Sequence, residues 1–221
     1  MTDDPIRVRA GLPRLVEATV SLLGLVAISP ILLPAMLAVR LSSPGPVFFR
    51  QQRVGRKGAT FTLYKLRSMR VDAAGPAVTG REDSRITPVG LWLRKSKLDE
   101  FPQLWNVVRG DMSLVGPRPE VQRYTDLANP LWRGVLEARP GITDPLTLKL
   151  RDEESLLPAD ESERERFYLD TLQPLKLRGY LEYLGRRNAW TDVGVIIATV
   201  IGILRRPPPV DPAEVLRRGR I

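Results

Sequence analysis

The sequence contains no histidine and no cysteine among its 221 residues. Without histidine the protein lacks an imidazole base and the commonest nitrogen ligand of transition metals. Without cysteine it lacks a thiolate nucleophile, a disulfide and soft metal ligands. Any catalytic chemistry must therefore use carboxylates, amines, guanidiniums or hydroxyls. A chain free of cysteine is also compatible with a reducing compartment.

Acidic residues are outnumbered, 25 against 34 lysines and arginines, which gives a net charge of +9. Such an excess of positive charge predicts an anionic partner, and nucleic acid, anionic lipid or a phosphorylated substrate all satisfy it. The hydrophobic content of 43% is ample for the core of a single domain of this length. Composition alone leaves the choice among these partners open.

Charge is absent from the 22 residues between Ala18 and Val39, a length that suffices for a membrane helix. Pro30 and Pro34 lack the N–H of a helical residue, and their rings clash with the preceding turn, so a sharp bend is predicted at Ser29-Pro30. The Ser29 hydroxyl could bond the freed carbonyl of Leu25. The 12 residues before the bend would extend about 18 Å, short of the roughly 30 Å hydrocarbon core. We therefore expect a re-entrant helix, with a straight crossing as the alternative.

Basic residues flank this segment on both sides. Arg9 and Arg14 precede it, and Arg40, Arg50 and Arg53 follow it. A re-entrant hairpin keeps both basic groups in the cytoplasm, as the positive-inside bias requires, whereas a crossing helix would leave one group outside. The apolar run is too long for the core of a cleaved signal peptide. The functional site is therefore expected on the cytoplasmic face of the membrane.

The run from Arg94 to Glu120 concentrates carboxylates, guanidiniums and turn residues. Pro102 is tolerated in the first turn of a helix, so a helix is predicted to begin near Asp99 and to end before Gly110. That start would put Asp99 and Glu100 at the positive end of a helix dipole, where anions are favoured. Carboxylates held there could bind Mg²⁺ or attack phosphorus.

The simpler alternative is that Asp99 only caps this helix, which is the usual role of aspartate at such a position. Two nearby arginines favour a functional role for Asp99 over a purely structural one. Arg94 lies five residues upstream, and Arg118 is fixed between two prolines in Gly116–Pro119. Planar guanidiniums held in this way suit bidentate contacts to phosphate oxygens.

The strings Leu98–Val107 and Gly110–Pro119 resemble the signature of the bacterial sugar transferases. These are the monotopic phosphoglycosyl transferases, which load a sugar phosphate onto polyprenyl phosphate. The resemblance covers about residues 15–204, and it also includes Ser43–Gln51, Lys65–Met69 and Arg139–Thr143. It is weaker after residue 143, where Pro145–Glu154 departs from the usual glycine-rich continuation.

The resemblance implies a mixed, helix-rich α/β fold in a monotopic membrane protein, with a re-entrant helix broken at Ser29-Pro30, a short hairpin and interfacial amphipathic helices. It implies transfer of a sugar 1-phosphate from a UDP-sugar to polyprenyl (undecaprenyl) phosphate with release of UMP. Asp99 would be the nucleophile. Glu100 would help to position Mg²⁺ or the acceptor, so both carboxylates are candidate metal ligands.

The same resemblance assigns the phosphate contacts to basic residues spread over the chain. The expected ligands are Arg94, Arg118 and Arg139, together with Lys65 and Arg67, which form a basic surface on one face of a strand. The pattern by itself leaves Lys65 and Arg67 equally compatible with a solvated strand edge guarded by charge. Arg139 could likewise be a simple turn residue.

The rest of the chain predicts supporting elements. Strands are expected at 47–49 and 60–65, a substrate-covering loop at 73–84, and helices at 86–94, 121–137 (interrupted at Asn129-Pro130), 161–187 and 190–204. The last helix, 15 residues of almost wholly apolar sequence, is too short to cross and is expected to lie at the interface, with a buried core helix as the alternative. The expected organisation is a membrane segment (1–41), a catalytic domain (42–204) and a basic tail (205–221).

Two other classes of function compete with the enzyme. A membrane-tethered nucleic-acid-binding protein would explain the positive charge, but the sequence shows no aromatic and basic platform and no recognition helix, so no nucleic-acid partner is expected. A noncatalytic membrane scaffold would explain the apolar segments but not paired carboxylates beside proline-locked arginines. The sequence leaves a homodimer open.

Overall fold

The computed structural model describes residues 8–71, 83–150, 156–158 and 160–205. The helices are α1 (Arg14–Ser42), α2 (Pro88–Ser96), α3 (Gln103–Arg109), α4 (Pro130–Leu136), α5 (Pro145–Lys149), α6 (Glu161–Phe167), α7 (Gln173–Arg186) and α8 (Ala189–Arg205). The strands are β1 (Phe48–Val54), β2 (Thr60–Leu66), β3 (Ser113–Val115) and β4 (Gly141–Thr143). The predicted loop at 73–84, apart from its last two residues, and the basic tail after residue 205 lie outside the described residues.

The two small sheets confirm a mixed, helix-rich architecture. β1 and β2 form the predicted antiparallel hairpin, with Phe49 opposite Lys65. Its turn contains Lys57 and Gly58, both with positive φ. β3 and β4 pair in parallel, as strands joined through an intervening helix do. The predicted helices at 86–94, 161–187 and 190–204 are present as α2, as α6 with α7 joined through a π-helical turn, and as α8.

The apolar N-terminal segment forms one continuous helix, α1, with Pro30 and Pro34 inside it. It is the one helix among the described residues that is long and apolar enough to cross a membrane, judged by length and composition. The helix does not end at Ser29. The Ser29 hydroxyl donates to the carbonyl of Val26 at 2.8 Å, one residue after the expected Leu25. The bend at Ser29-Pro30 stays a prediction.

Both ends of α1 bind the same folded domain. At the N-terminal end, Arg14 donates to the carbonyl of Val107, and the Glu17 carboxylate accepts from the Leu114 amide at 3.0 Å. At the C-terminal end, Arg67 donates to the carbonyls of Val39 and Ser43. Burial of Leu32, Ala35 and Val39 against Leu66, Leu93 and Leu98 adds an apolar seam. The helix is therefore attached along its length rather than at one end.

Two predicted helices differ from the structure. The helix expected to begin near Asp99 begins four residues later, because Leu98–Glu100 form a separate 3₁₀ turn and Pro102 occupies the position before α3. Its predicted end is confirmed, since Gly110 closes α3 in the left-handed conformation at φ 96°.

The helix predicted over 121–137 is mostly absent. A short 3₁₀ turn precedes α4, which begins at Pro130 with the Asn129 side chain capping it. Pro130, which was predicted to interrupt this helix, instead starts it. Proline is favoured at the first position of a helix, because the N–H that it lacks would have no acceptor within the helix there.

Candidate active site

Asp99 lies in the 3₁₀ turn between α2 and α3, and the neighbours of that turn hold it in place. Lys97 closes α2 with φ 59°, and its amide donates to the Arg94 carbonyl at 3.2 Å. Leu98 is buried in the apolar cluster beneath α1. The sharp left-handed residue and the buried leucine together fix the direction of Asp99. The carboxylate is not at the first turn of an α-helix, so the predicted dipole and capping roles do not apply.

The Asp99 side chain is buried, at 7% exposure, and its Oδ1 has no hydrogen-bond partner. Burial raises the pKa of Asp99 above its ordinary value, and the neighbouring charge of Glu100 raises it further. Lys65, Lys97 and Arg94 oppose both effects. A buried carboxylate oxygen without a donor is exceptional, because buried polar atoms are normally hydrogen-bonded. Such an atom fits a ligand, a metal ion or an electrophile better than a structural role.

Glu100 is in the opposite situation, because two cations bind it. Lys65 Nζ lies 2.9 Å from Oε1, and Arg118 donates to Oε1 at 2.6 Å and to Oε2 at 3.3 Å. Burial by itself raises the pKa of Glu100, but Arg118 and Lys65 outweigh it and hold that pKa well below its usual range. The two adjacent carboxylates therefore differ. Lys65 and Arg118 neutralise Glu100, whereas Asp99 keeps a bare oxygen, that is, an oxygen without a hydrogen-bond partner.

The contact between Lys65 and Glu100 depends on Asn106. Its side-chain amide donates to the Thr62 carbonyl at 2.7 Å, and its carbonyl oxygen accepts from the Tyr64 amide at 3.2 Å. These two bonds pair α3 with β2 as another strand would. They hold β2 beside the 3₁₀ turn, so Lys65 reaches a residue 35 positions away in sequence.

Arg118 reaches Glu100 because the loop after β3 is held against the loop before β4. A Cβ on Gly141 would lie 2.1 Å from the Gly116 amide, so the two backbones approach closer than any side chain permits. The Gly141 amide also donates to the Pro117 carbonyl at 2.9 Å. These contacts hold the loop that carries Arg118, as the prolines and glycine predicted, and the guanidinium binds Glu100.

A large cleft, about 1450 Å³ in volume, brings most of the predicted residues together. Its lining includes Lys65, Arg67, Arg94, Asp99, Glu100 and Arg118. Arg139 is half-buried and is absent from this lining among the residues that the structure describes. The structure thus gathers every predicted catalytic or phosphate-binding residue except Arg139 along one cavity.

Arg67 has a different environment from the one predicted. The side chain is 4% exposed, and its guanidinium donates to the carbonyls of Pro44, Val39 and Ser43 at the end of α1. These bonds satisfy carbonyls that the helix end leaves without partners. Although Arg67 borders the cleft, the contacts favour a role in anchoring α1 over a role in binding phosphate.

Several cleft residues carry no signal in the sequence. Lys97 borders the cleft beside Asp99, and Lys176 enters it from α7. Arg53 pairs with Glu120 at 3.1 Å, and the hydroxyl of Tyr168 bonds the same carboxylate. Of these, Lys97 and Glu120 belong to the run from Arg94 to Glu120, where charged residues on turns are too common to be assigned a function from sequence.

A family model described as bacterial sugar transferase matches residues 8–206. The chain belongs to the bacterial sugar transferase family. The UDP-glucose:undecaprenyl-phosphate glucose-1-phosphate transferases of Caulobacter vibrioides and Escherichia coli are each 37% identical over 196 residues, which is 86% of this chain. The UDP-N-acetylgalactosamine-undecaprenyl-phosphate N-acetylgalactosaminephosphotransferase of Aeromonas hydrophila is 37% identical over 144 residues, or 63% of this chain.

The match covers different shares of these relatives. It spans 69% of the Caulobacter protein, 39% of the Escherichia coli protein and 34% of the Aeromonas protein. The chain thus spans little more than a third of the Escherichia coli and Aeromonas proteins, which carry much further sequence. As a member of the sugar transferase family the protein is an enzyme, and the family match includes α1, the cleft and α8.

The sugar transferase site fits one Mg²⁺ more readily at Asp99 than at Glu100. Asp99 offers a buried oxygen without a partner, whereas both oxygens of Glu100 accept hydrogen bonds from cations. No group of three acidic side chains able to hold a metal occurs among the described residues. Mg²⁺ commonly binds through one or two carboxylates, with water and substrate phosphate completing its shell, so a single aspartate suffices.

The pH profile should report the charge around Asp99. If its carboxylate must be ionised, kcat/KM for the sugar nucleotide falls as pH drops through a pKa raised above that of an ordinary aspartate. Lys97 lowers that pKa, so Lys97→Asn should move the acid limb to higher pH, and asparagine tolerates positive φ.

Lys57→Asn is the matched control for this profile. Lys57 is the other non-glycine residue with positive φ among those described, and it lies in the hairpin turn outside the cleft lining. Its acid limb should coincide with that of the wild type. An acid limb that stays in place in Lys97→Asn would remove Asp99 as the group that titrates.

Proposed function

We propose that the protein transfers a sugar 1-phosphate from a UDP-sugar to undecaprenyl phosphate and releases UMP, with Asp99 as the covalent nucleophile. The reaction would open the membrane stage of glycoconjugate synthesis, such as that of an exopolysaccharide, O-antigen, capsule or glycoprotein. The observation that carries the proposal is the bare, buried Oδ1 of Asp99 in a basic cleft. The substrates in the printed names of the relatives support the choice of donor and acceptor.

In the first step, an Asp99 carboxylate oxygen forms a bond to the β-phosphorus of the UDP-sugar. The bond from that phosphorus to the bridging oxygen breaks, and UMP leaves with the electron pair. The sugar phosphate remains as an acyl phosphate on Asp99. In the second step, a phosphate oxygen of the lipid attacks the same phosphorus, which forms the diphosphate linkage and returns the carboxylate.

The basic residues counter the charge that this reaction brings together. An anionic carboxylate must approach an anionic diphosphate, and Arg94, Lys97 and Lys65 all act electrostatically on Asp99. Glu100 holds Lys65 and Arg118 beside the nucleophile, which makes it a positioning residue. Mg²⁺ bound through Asp99 would neutralise part of the diphosphate charge. Arg139 stays a proposed phosphate ligand whose position lies away from the cleft lining.

The direct test is a panel of UDP-sugars assayed for UMP release by detergent-solubilised protein with undecaprenyl phosphate. UDP-glucose and UDP-N-acetylgalactosamine come first because relatives use them by name. We expect release that requires Mg²⁺ and a sugar-labelled lipid product. Absence of UMP release across the panel, with protein that binds membranes normally, would instead favour the noncatalytic scaffold.

We also propose that α1 is re-entrant and that the protein is attached to the cytoplasmic face of the inner membrane. The support is that Arg14 and Glu17 at one end and Val39 and Ser43 at the other contact the same domain. A straight crossing would place these ends on opposite sides of a core roughly 30 Å thick. One folded domain could not then bind both ends from the cytoplasm.

Single cysteines test this topology cleanly because the chain has none of its own. Ala10→Cys and Ser42→Cys place thiols at exposed positions near the two ends of α1, and Arg166→Cys marks the catalytic domain. A membrane-impermeant maleimide should label all three in inverted vesicles and none in intact spheroplasts. Labelling of one end in spheroplasts would show that the helix crosses.

A further inference from the structure

The wall of the cleft is divided by chemistry. The elements near β1, β2 and α2 contribute many cations to it, among them Arg50, Arg70, Arg85 and Lys95. The part contributed by α3, β3, β4 and α8 is uncharged and largely apolar, and its main side chains are Leu104, Leu114, Ile142, Ile196, Val200 and Ile203. Asp99, Glu100 and Arg118 border the same cavity. One cavity therefore offers a basic wall, an apolar wall and the reacting carboxylate.

The apolar wall includes one regular face of α8. Ile196, Thr199, Val200 and Ile203 line the cleft at spacings of three, four and seven residues, which places them on one side of a helix. The hydroxyl of Thr199 lies 2.7 Å from that of Thr143 on β4, so this side of α8 is fixed toward the sheet that precedes Arg118. The face is positioned by tertiary contacts rather than left to turn freely.

This face stays partly uncovered in the folded protein. Val200 is 51% exposed although it borders the cavity. The membrane helix α1 does not compete for it, because none of its residues lines the cleft in the part of the chain that the structure describes. An apolar groove that leads to a phosphate-transfer site suits a substrate with a phosphate at one end and a hydrocarbon chain at the other.

We propose that the face of α8 formed by Ile196, Thr199, Val200 and Ile203 binds the first isoprene units of the lipid acceptor. The inference rests on the proposed function, since it assigns the chain-binding part of the same site. The basic wall would take the nucleotide diphosphate, and the apolar wall would guide the acceptor phosphate to Asp99. Prenyl phosphates with longer chains would then be preferred for contacts inside the cleft, beyond their attraction to the bilayer.

The test compares Val200→Asn with Ile201→Asn in detergent micelles of constant composition. Ile201 is the next residue, is 44% exposed and points away from the cleft lining, so it controls for the general apolar surface of α8. For Val200→Asn, the ratio of kcat/KM for undecaprenyl phosphate over a phosphate that carries a single isoprene unit should fall about fivefold, because the second acceptor lacks most of the units that the face would bind. For Ile201→Asn, the ratio should stay at the wild-type value, and Val200→Leu should restore it.

An equal fall in both asparagine variants would assign α8 to the membrane surface and overturn the proposal, as would an unchanged ratio in Val200→Asn. Failure of the wild type to release UMP at all would instead remove the proposed function itself. A photoreactive prenyl phosphate gives a second measurement that needs no variant. Its label should be found in the tryptic peptide 188–205, on the residues that line the cleft, and unlabelled acceptor should displace it. Label that is not displaced would contradict a specific groove.

Discussion

Asp99→Asn is expected to abolish sugar-phosphate transfer, with a loss of at least about a thousandfold in kcat/KM. The amide lacks the anionic oxygen that forms the bond to phosphorus, and no other carboxylate in the described cleft has an equally bare oxygen, because Glu100 is bound by Lys65 and Arg118. Trapping of radiolabelled sugar phosphate on the protein after a UDP-sugar pulse should vanish together with turnover.

Stability should move in the other direction. The raised pKa of Asp99 means that its ionised form is disfavoured in the folded protein, so the destabilisation is present above that pKa and is relieved as pH falls through it. Asparagine removes the charge, and the melting temperature at neutral pH should be unchanged or higher. A melting temperature that collapses would show that Asp99 is a structural residue.

Asp170→Asn is a suitable control for this experiment. Its carboxylate is 67% exposed and pairs with Arg166 on the helical surface, at 3.5 Å. Both turnover and covalent trapping should match the wild type. Turnover or covalent trapping that persists in Asp99→Asn would show that Asp99 is not the nucleophile.

Glu100→Gln is expected to lose both activity and stability. The glutamine removes the carboxylate that pairs with the Lys65 ammonium and the Arg118 guanidinium. Breaking a fully buried pair costs about 3 kcal/mol, and the loss here should be smaller because these three side chains are 15–34% exposed. Turnover should fall by about a hundredfold, since both cations are then free to shift from the nucleophile. Thermal unfolding and UMP release measure the two effects separately.

The stability loss should depend on pH. The pKa of Glu100 is held well below its ordinary value, so its stabilisation is fully present above the unfolded pKa and is lost as pH falls toward the folded one. The difference in melting temperature between Glu100→Gln and the wild type should therefore shrink in acid. A constant difference would argue against the ion pairs as its source.

Two further variants separate charge from catalysis. Adding Lys65→Met to Glu100→Gln removes one of the two cations that lose the Glu100 carboxylate, so stability should partly recover while activity does not. Glu182→Gln breaks an exposed pair with Arg186, and exposed pairs contribute little, so it should leave both properties near the wild-type values. Equal losses in both glutamine variants would show that the burial of Glu100 has no special effect.

Much of the site was predictable because its residues are close together in sequence. Arg94, Asp99, Glu100 and Arg118 lie within the run from Arg94 to Glu120, and turn residues such as Gly110 indicate where the helices of that run end. The hairpin and the helices with clear apolar periodicity were also predictable. The start of α3 was not, because proline is compatible with several positions near a helix N-terminus, and the left-handed residue at Lys97 has no reliable sequence signal.

The sequence by itself determined which chemistry is open to this protein: carboxylates and cations without imidazole or thiol, beside a helix of membrane length. Only the tertiary structure decided how that chemistry is distributed. Lys65 and Arg118 neutralise Glu100 and leave Asp99 bare, while Arg67 turns to the end of α1. The physical reason is that these contacts join residues far apart in the chain, so they depend on how β2, α1 and the β3–β4 pair pack around the 3₁₀ turn.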